Sequence, residues 1–148
     1  MKRFEDRITI TAPRERVLSY VSDFPRHGEW AANNLNVAAE GDGPVAVGST
    51  YSTEAKQFGT QREKSTVTEL TPGQVFGWDS KGALGVVHHW FSLAGDGDST
   101  SLTKGMELTH PSFLAKMMGF RINKEGPKGL RHDLEQIKSK LESSPQTS

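Results

Sequence analysis

The sequence predicts an α+β fold: a curved, seven-stranded antiparallel sheet with two short helices and a long C-terminal helix across its concave face. Three observations predict it. A strand and a short helix open the chain, alternating segments split by five turn signals run from Leu35 to Leu108, and helical periodicity takes over after His110-Pro111. At 148 residues the chain suits one domain, expected over 1–142, followed by a polar disordered tail, "SSPQTS", over 143–148.

Taken in order, "FEDRITIT" alternates with Phe4, Ile8 and Ile10 on one face, which reads as a strand. "TAPRERVLSYVSDF" then opens a helix, with Thr11 or Ala12 at the cap and Pro13 at the first helical position. Glu15 complements the positive helix end, and Val17, Leu18 and Val21 form the buried stripe. "PRHGEW" reads as a second helical turn that ends at Trp30.

The turn signals are "EGDGP" at 40–44, "KQFGT" at 56–60, "TPGQ" at 71–74, "SKGALG" at 80–85 and "AGDGDS" at 94–99. The Thr-, Val- and aromatic-rich stretches between them alternate with period two, so six strands form a meander. The first strand is expected to pair with the last at the sheet edge. Ser112 is the expected cap of the following helix. Phe113, Met117 and Phe120 repeat at i, i+4 and i+7, as do Leu130, Leu134, Ile137 and Leu141 farther on. Gly126-Pro127 between these blocks is expected to kink or break the helix.

Composition excludes several function classes. Lysine plus arginine and aspartate plus glutamate both number 18, so a nucleic-acid partner lacks its electrostatic driving force. There is no cysteine, which rules out disulfides, thiolate catalysis and cysteine-ligated metals. "MKRFEDRITIT" has no apolar core of a secretory signal, and "FLAKMMGFRI" is too short to span a bilayer, so a cytoplasmic protein without a membrane span is expected. His27, His110 and His132 show no ligand spacing, and no phosphate loop, nucleophile elbow or dinucleotide fingerprint occurs. Neither a metal nor a cofactor is expected.

Several stretches resemble one superfamily. "ITITAPRERVLSYVSDFPRHGEW" looks like its opening strand, Ala-Pro, short helix and closing tryptophan. "VGSTY" looks like its Gly-led third strand, "TELTPGQVFGW" like its Pro-containing hairpin, and "GDSTSLTKGMEL" like its final hairpin. The chain thus resembles the SRPBCC, or START-like, helix-grip superfamily from about Phe4 to Glu142. That group includes the birch-pollen allergen and proteins of the polyketide cyclase/dehydrase and lipid-transport type. The resemblance implies a hydrophobic cavity between sheet and C-terminal helix, but no universal catalytic motif.

Strand parity selects the cavity wall. Neighbouring residues point to opposite faces, so His88 and His89 cannot share one metal or one substrate. Val87, His89, Phe91 and Leu93 make the more apolar set, so His89 is expected inward, although Trp90 on the other face argues the opposite. Leu102, Lys104, Met106 and Leu108 form the inward set of the last strand. Trp78 faces inward with Phe76 and Ser80. Tyr51, Thr53 and Ala55 do so by analogy with the superfamily's third strand. The expected ligand-binding residues are therefore Tyr51, Trp78, His89, Phe91, Lys104 and Met106, under a roof of Phe113, Met117 and Phe120.

Each assignment has a plainer alternative. His89 is a core histidine satisfied by a neighbour, or it orients a ligand, or it is an acid–base group. Lys104 pairs with a carboxylate across the sheet, snorkels to the rim or meets an acidic ligand group. Three functions follow. One is a carrier of a small lipophilic, lipid-like or aromatic polyketide-like molecule. The second is a polyketide cyclase/dehydratase-like enzyme with His89 and Lys104 as catalytic candidates. The third is a partner-binding module in which the apolar segment 113–122 meets another protein or a second copy in a homodimer.

Overall fold

A computed structural model describes residues 3–31, 35–41, 43–56, 60–95 and 97–143. The strands are β1 (Arg3–Ile10), β2 (Asn36–Ala39), β3 (Thr50–Lys56), β4 (Thr60–Thr71), β5 (Val75–Gly82), β6 (Gly85–Ala94) and β7 (Thr100–Pro111). The helices are α1 (Arg14–Val21), α2 (Phe113–Met117) and α3 (Gly119–Ser143), with a 3-10 turn over Phe24–Glu29. All strand pairs are antiparallel, in the order β1-β7-β6-β5-β4-β3-β2. The expected pairing of first and last strands runs from Arg3 opposite Glu107 to Ile10 opposite Thr100. This is the helix-grip architecture.

Local chemistry accounts for the ends of the helices. Pro13 caps α1 with extended backbone, later in the chain than the expected Thr11 or Ala12, and its carbonyl accepts from Arg16 and Val17 at 3.1 and 3.0 Å. Ser112 caps α2 as expected. Its hydroxyl accepts from the Ala115 N–H at 3.2 Å and donates to the Ala83 carbonyl at 2.6 Å. The expected break at Gly126-Pro127 does not occur, because α3 runs through both residues and the discontinuity lies at Met118. Ile122 and Leu130 are buried on either side of the proline and hold the helix against the sheet. Gly126 serves close approach: a Cβ there would lie 2.9 Å from the Phe4 ring.

Polar contacts fasten α3 along β1. Arg131 donates to both Asp6 carboxylate oxygens at 2.9 and 3.0 Å and to the Arg7 carbonyl at 2.7 Å. Lys138 donates to the Thr9 carbonyl at 2.8 Å, and Glu142 accepts from the Thr11 N–H at 2.8 Å. The core beneath has two parts. The larger joins α1, the 3-10 turn and strand residues such as Phe76, Phe91 and Leu102 to Leu134, Ile137 and Leu141 of α3. The smaller joins Val87, Leu108, Ala115 and Ile122, with Phe4, Leu84, Met106 and Met118 packed around it.

Strand parity resolves the histidine pair. A bulge at Val86/Val87 precedes the pair, and from Val87 onward Val87, Phe91 and Leu93 are buried on the concave side. His89 shares that side and stacks on Trp78 with ring centroids 5.0 Å apart. His88 lies on the convex side, where its Nδ1–H donates to Asp79 at 2.6 Å and its ring stacks near Trp90. Trp90, which argued for the opposite parity, lies on the convex side over a gap in the side-chain layer at Gly105, and Arg3 stacks on it at 4.5 Å.

Gly105 is therefore constrained and Gly129 is not. A Cβ on Gly105 would sit 2.0 Å from the Trp90 ring, whereas one on Gly129 meets nothing within 4 Å. Gly105→Ala is expected to lower the stability by about 1–3 kcal/mol. Gly129→Ala, inside α3, is expected to raise it by about 0.5–1 kcal/mol. Urea unfolding curves of the two variants check both signs.

Candidate functional site

The concave face holds a cavity of about 80 Å³ beneath α3, partly open to solvent. The 3-10 turn and the residues after it contribute Phe24, His27, Trp30, Ala31 and Leu35. Successive strands contribute Thr53, Glu63, Ser65, Trp78, Ser80, His89 and Lys104, and α3 contributes Asp133. The inward parity of β3 to β7 brings these residues together from one side, and the helix closes the other.

The lining is more polar than expected. Lys104 Nζ lies 3.3 Å from Asp133 Oδ2, with side chains only 5% and 11% exposed. Of the alternatives for Lys104, carboxylate pairing is the one seen, but the partner comes from α3 and not from across the sheet. The ammonium also lies 5.8 Å from the rings of Trp30 and Phe91. Ser65 and Ser80 hydrogen-bond to each other at 2.8 Å across β4 and β5. His27 is fully buried against Phe24, and its Nε2–H donates to the Val21 carbonyl at 2.7 Å.

These surroundings determine charge states. Burial pushes the His27 imidazole down to about 3, opposed by its bond to Val21 and aided by the Lys104 charge. Burial also holds His89 well below the usual histidine range, again helped by Lys104. Both rings are therefore neutral at physiological pH. Burial raises the Glu63 carboxyl, so this acid holds its proton more tightly than an exposed glutamate does.

Two polar atoms stand out. Trp30 Nε1 and His89 Nδ1 are buried and have no hydrogen-bond partner among the described residues. Each unmade bond of this kind costs roughly 1–3 kcal/mol. Both side chains border the cavity that contains Lys104. The arrangement can donate a hydrogen bond from Trp30, offer a neutral imidazole and present a cation to one oxygen-bearing group.

Of the residues expected to contact ligand, Trp78, His89 and Lys104 meet at this cavity. Tyr51 and Phe91 lie behind it. Tyr51 stacks face to face on Phe24 at 4.5 Å and borders a separate cleft of about 320 Å³, and Phe91 packs edge-on against Trp30. Met106 faces inward but packs in the smaller core cluster. The expected roof is corrected: Phe113, Met117 and Phe120 are 77%, 68% and 85% exposed and point away from the sheet. Their spacing defines a helix stripe but does not say which side of the helix meets the sheet, and Ala115 and Ile122 turn the opposite side inward.

Sequence reasoning missed His27, Trp30 as a donor, Glu63 and Asp133. Asp133 did carry a signal, since it interrupts the stripe of Leu130, Leu134 and Ile137 much as Lys104 interrupts that of β7. Glu63 shares the parity of inward Ser65 and Val67. A 3-10 turn has no readable face, so His27 gave none.

Among the described residues, no group of three or more histidines and carboxylates is placed to hold a metal ion. No helix among them is long and apolar enough to cross a membrane.

The profile of a family described as "Polyketide cyclase / dehydrase and lipid transport" matches residues 1–142. No curated protein sequence matches. Solved structures share the fold. Protein MLL2253 from Mesorhizobium loti is 15% identical with a TM-score of 0.74, over 97% of this chain and 99% of that one. TTHA0849 from Thermus thermophilus is 17% identical with a TM-score of 0.73, over 97% and 100% of the two chains. The Aha1 dimer from Colwellia psychrerythraea is 20% identical with a TM-score of 0.67, over 97% and 98%.

Two outcomes follow from the charged groups of this site. Asp133→Asn is expected to cost roughly 3 kcal/mol, because it strands a buried ammonium, while the double change Lys104→Met/Asp133→Leu recovers most of that loss. Chemical denaturation of the three proteins measures it. The second outcome concerns pH. His27 has a pKa of about 3 when folded against 6.5 otherwise, so below pH 6.5 the unfolded chain holds the extra proton and acid favours unfolding. His89 acts in the same direction, and Glu63 in the opposite one. Stability should fall from pH 6.5 toward 4.5, before ordinary carboxylates protonate, and His27→Asn should flatten that slope in midpoints measured across the range.

Proposed function

We propose that this chain, which belongs to the polyketide cyclase/dehydrase and lipid transport family, binds a small organic molecule by its oxygen-bearing end in the cavity beneath α3. The observation that carries this reading is the pair of unpartnered buried atoms, Trp30 Nε1 and His89 Nδ1, in two side chains that border one cavity with Lys104. A carbonyl, enolate or carboxylate oxygen would accept from Trp30 and lie near the ammonium. Trp78 and Phe24 would flank the adjoining ring or chain.

The cavity size limits the ligand. About 80 Å³ holds a polar head but not a lipid body, since pockets for drug-sized ligands occupy roughly 300–1,000 Å³. A lipid-like or polyketide-like ligand therefore requires the helix or the 3-10 turn to move outward. The small polar-headed aromatic is the better fit to a cavity of this size. The cytoplasm, with no metal or cofactor, is the setting of this reading.

A second reading has one observation in its favour. His89 is neutral and shares its cavity with Lys104, the arrangement that proton abstraction beside a carbonyl requires. His89 would take the proton, and Lys104 would stabilise the enolate oxygen.

A screen of small aromatic acids and ketones by ligand-observed NMR tests the binding reading. Ligands are expected to shift the Trp30 indole N–H resonance, and Trp30→Phe should weaken binding about tenfold, the worth of one hydrogen bond to a buried donor. Ligands that bind without moving that resonance would overturn it. For the enzymatic reading, solvent deuterium exchange into a 1,3-dicarbonyl compound should be accelerated by the protein and lost in His89→Gln. Equal rates in both proteins would remove the second reading and leave the first.

A further inference from the structure

We infer that α2 and the first turns of α3 form a surface that rests on an anionic lipid bilayer. Ala115 anchors α2 and Ile122 anchors the start of α3, and both are buried. At 3.6 residues per turn, positions two before and two after an anchor lie on the far side of the helix. Those positions are Phe113 and Met117 about Ala115, and Phe120 and Lys124 about Ile122. Three large apolar side chains thus share an outward face at 77%, 68% and 85% exposure, with Leu114 at its side.

The charges along this stretch are predominantly positive. Lys116, Arg121, Lys124 and Lys128 are all exposed, and Glu125 is the one acid between Phe113 and Lys128. The whole chain is neutral, so this is a local concentration of positive charge. Aromatic and methionine side chains ringed by lysine and arginine match the depth profile of a bilayer interface: apolar groups enter the acyl boundary while cations meet phosphate.

The same charges argue against a second copy of the chain, because a twofold contact would bring like cations together. None of these apolar residues lines the cavity, so the inference stands apart from the ligand reading.

Flotation with phosphatidylcholine vesicles, with and without phosphatidylglycerol, tests it. The protein is expected to float with the anionic vesicles, to be released by salt, and to stay behind with phosphatidylcholine alone. Phe113→Ser/Phe120→Ser should weaken binding at least about tenfold, given the apolar area lost. Its melting temperature should be unchanged, because both rings are exposed in the fold. Lys116→Glu/Lys124→Glu should weaken binding and reduce the salt dependence. No flotation with anionic vesicles, or equal flotation of the serine variant, overturns the inference. So does a dimer in sedimentation velocity that the serine variant abolishes, if no vesicle binding accompanies it.

Discussion

The Lys104–Asp133 ion pair is the constraint around which the concave side is arranged. On β7 it falls between Leu102 of the larger core cluster and Met106 of the smaller one. On α3 it falls between Ile122 of the smaller cluster and Leu134 of the larger. It therefore sits at the seam of the two apolar regions. A buried pair contributes little net stability over an apolar pair of equal shape, but a partner left alone there is costly. A slip of α3 by one turn would strand both charges, so the pair selects one register of helix on sheet. The contacts of Arg131, Lys138 and Glu142 to β1 and its end agree with that register.

The same pair determines the electrostatics of the cavity. Burial is the main reason that His27 and His89 are neutral, and the Lys104 charge adds to it. Structural and chemical roles thus meet in one lysine. Its pairing with Asp133 favours one register of the helix, and the cavity would lose its cation if it were replaced. The fold is shared by proteins of very different sequence, so function has to be argued from such particulars.

The convex side shows how a large aromatic can mislead. Trp90 suggested a reversed strand because a tryptophan is expected in a core. Its partner residue Gly105 has no side chain, and Arg3 covers the other ring face, so the ring is accommodated outside. Packing space on the neighbouring strand, and not hydrophobicity alone, decides where such a residue goes.

The strand order and the inward parity of Trp78, His89 and Lys104 were legible in the sequence, because a period of two is a local property. The roof was not. The stripe of Phe113, Met117 and Phe120 is as periodic as that of Leu130, Leu134 and Ile137, but only the second faces the sheet. Local periodicity cannot tell the two apart, since the rotation of a helix about its axis depends on what it meets. Proline at 127 likewise looked decisive until packing at Ile122 and Leu130 held the helix through it. By itself the sequence determined which residues share a face. Only the tertiary structure decided which face is inside, that Asp133 answers Lys104, and that the cavity is small and mixes aromatic with polar side chains, because each depends on groups far apart in the chain meeting at one place.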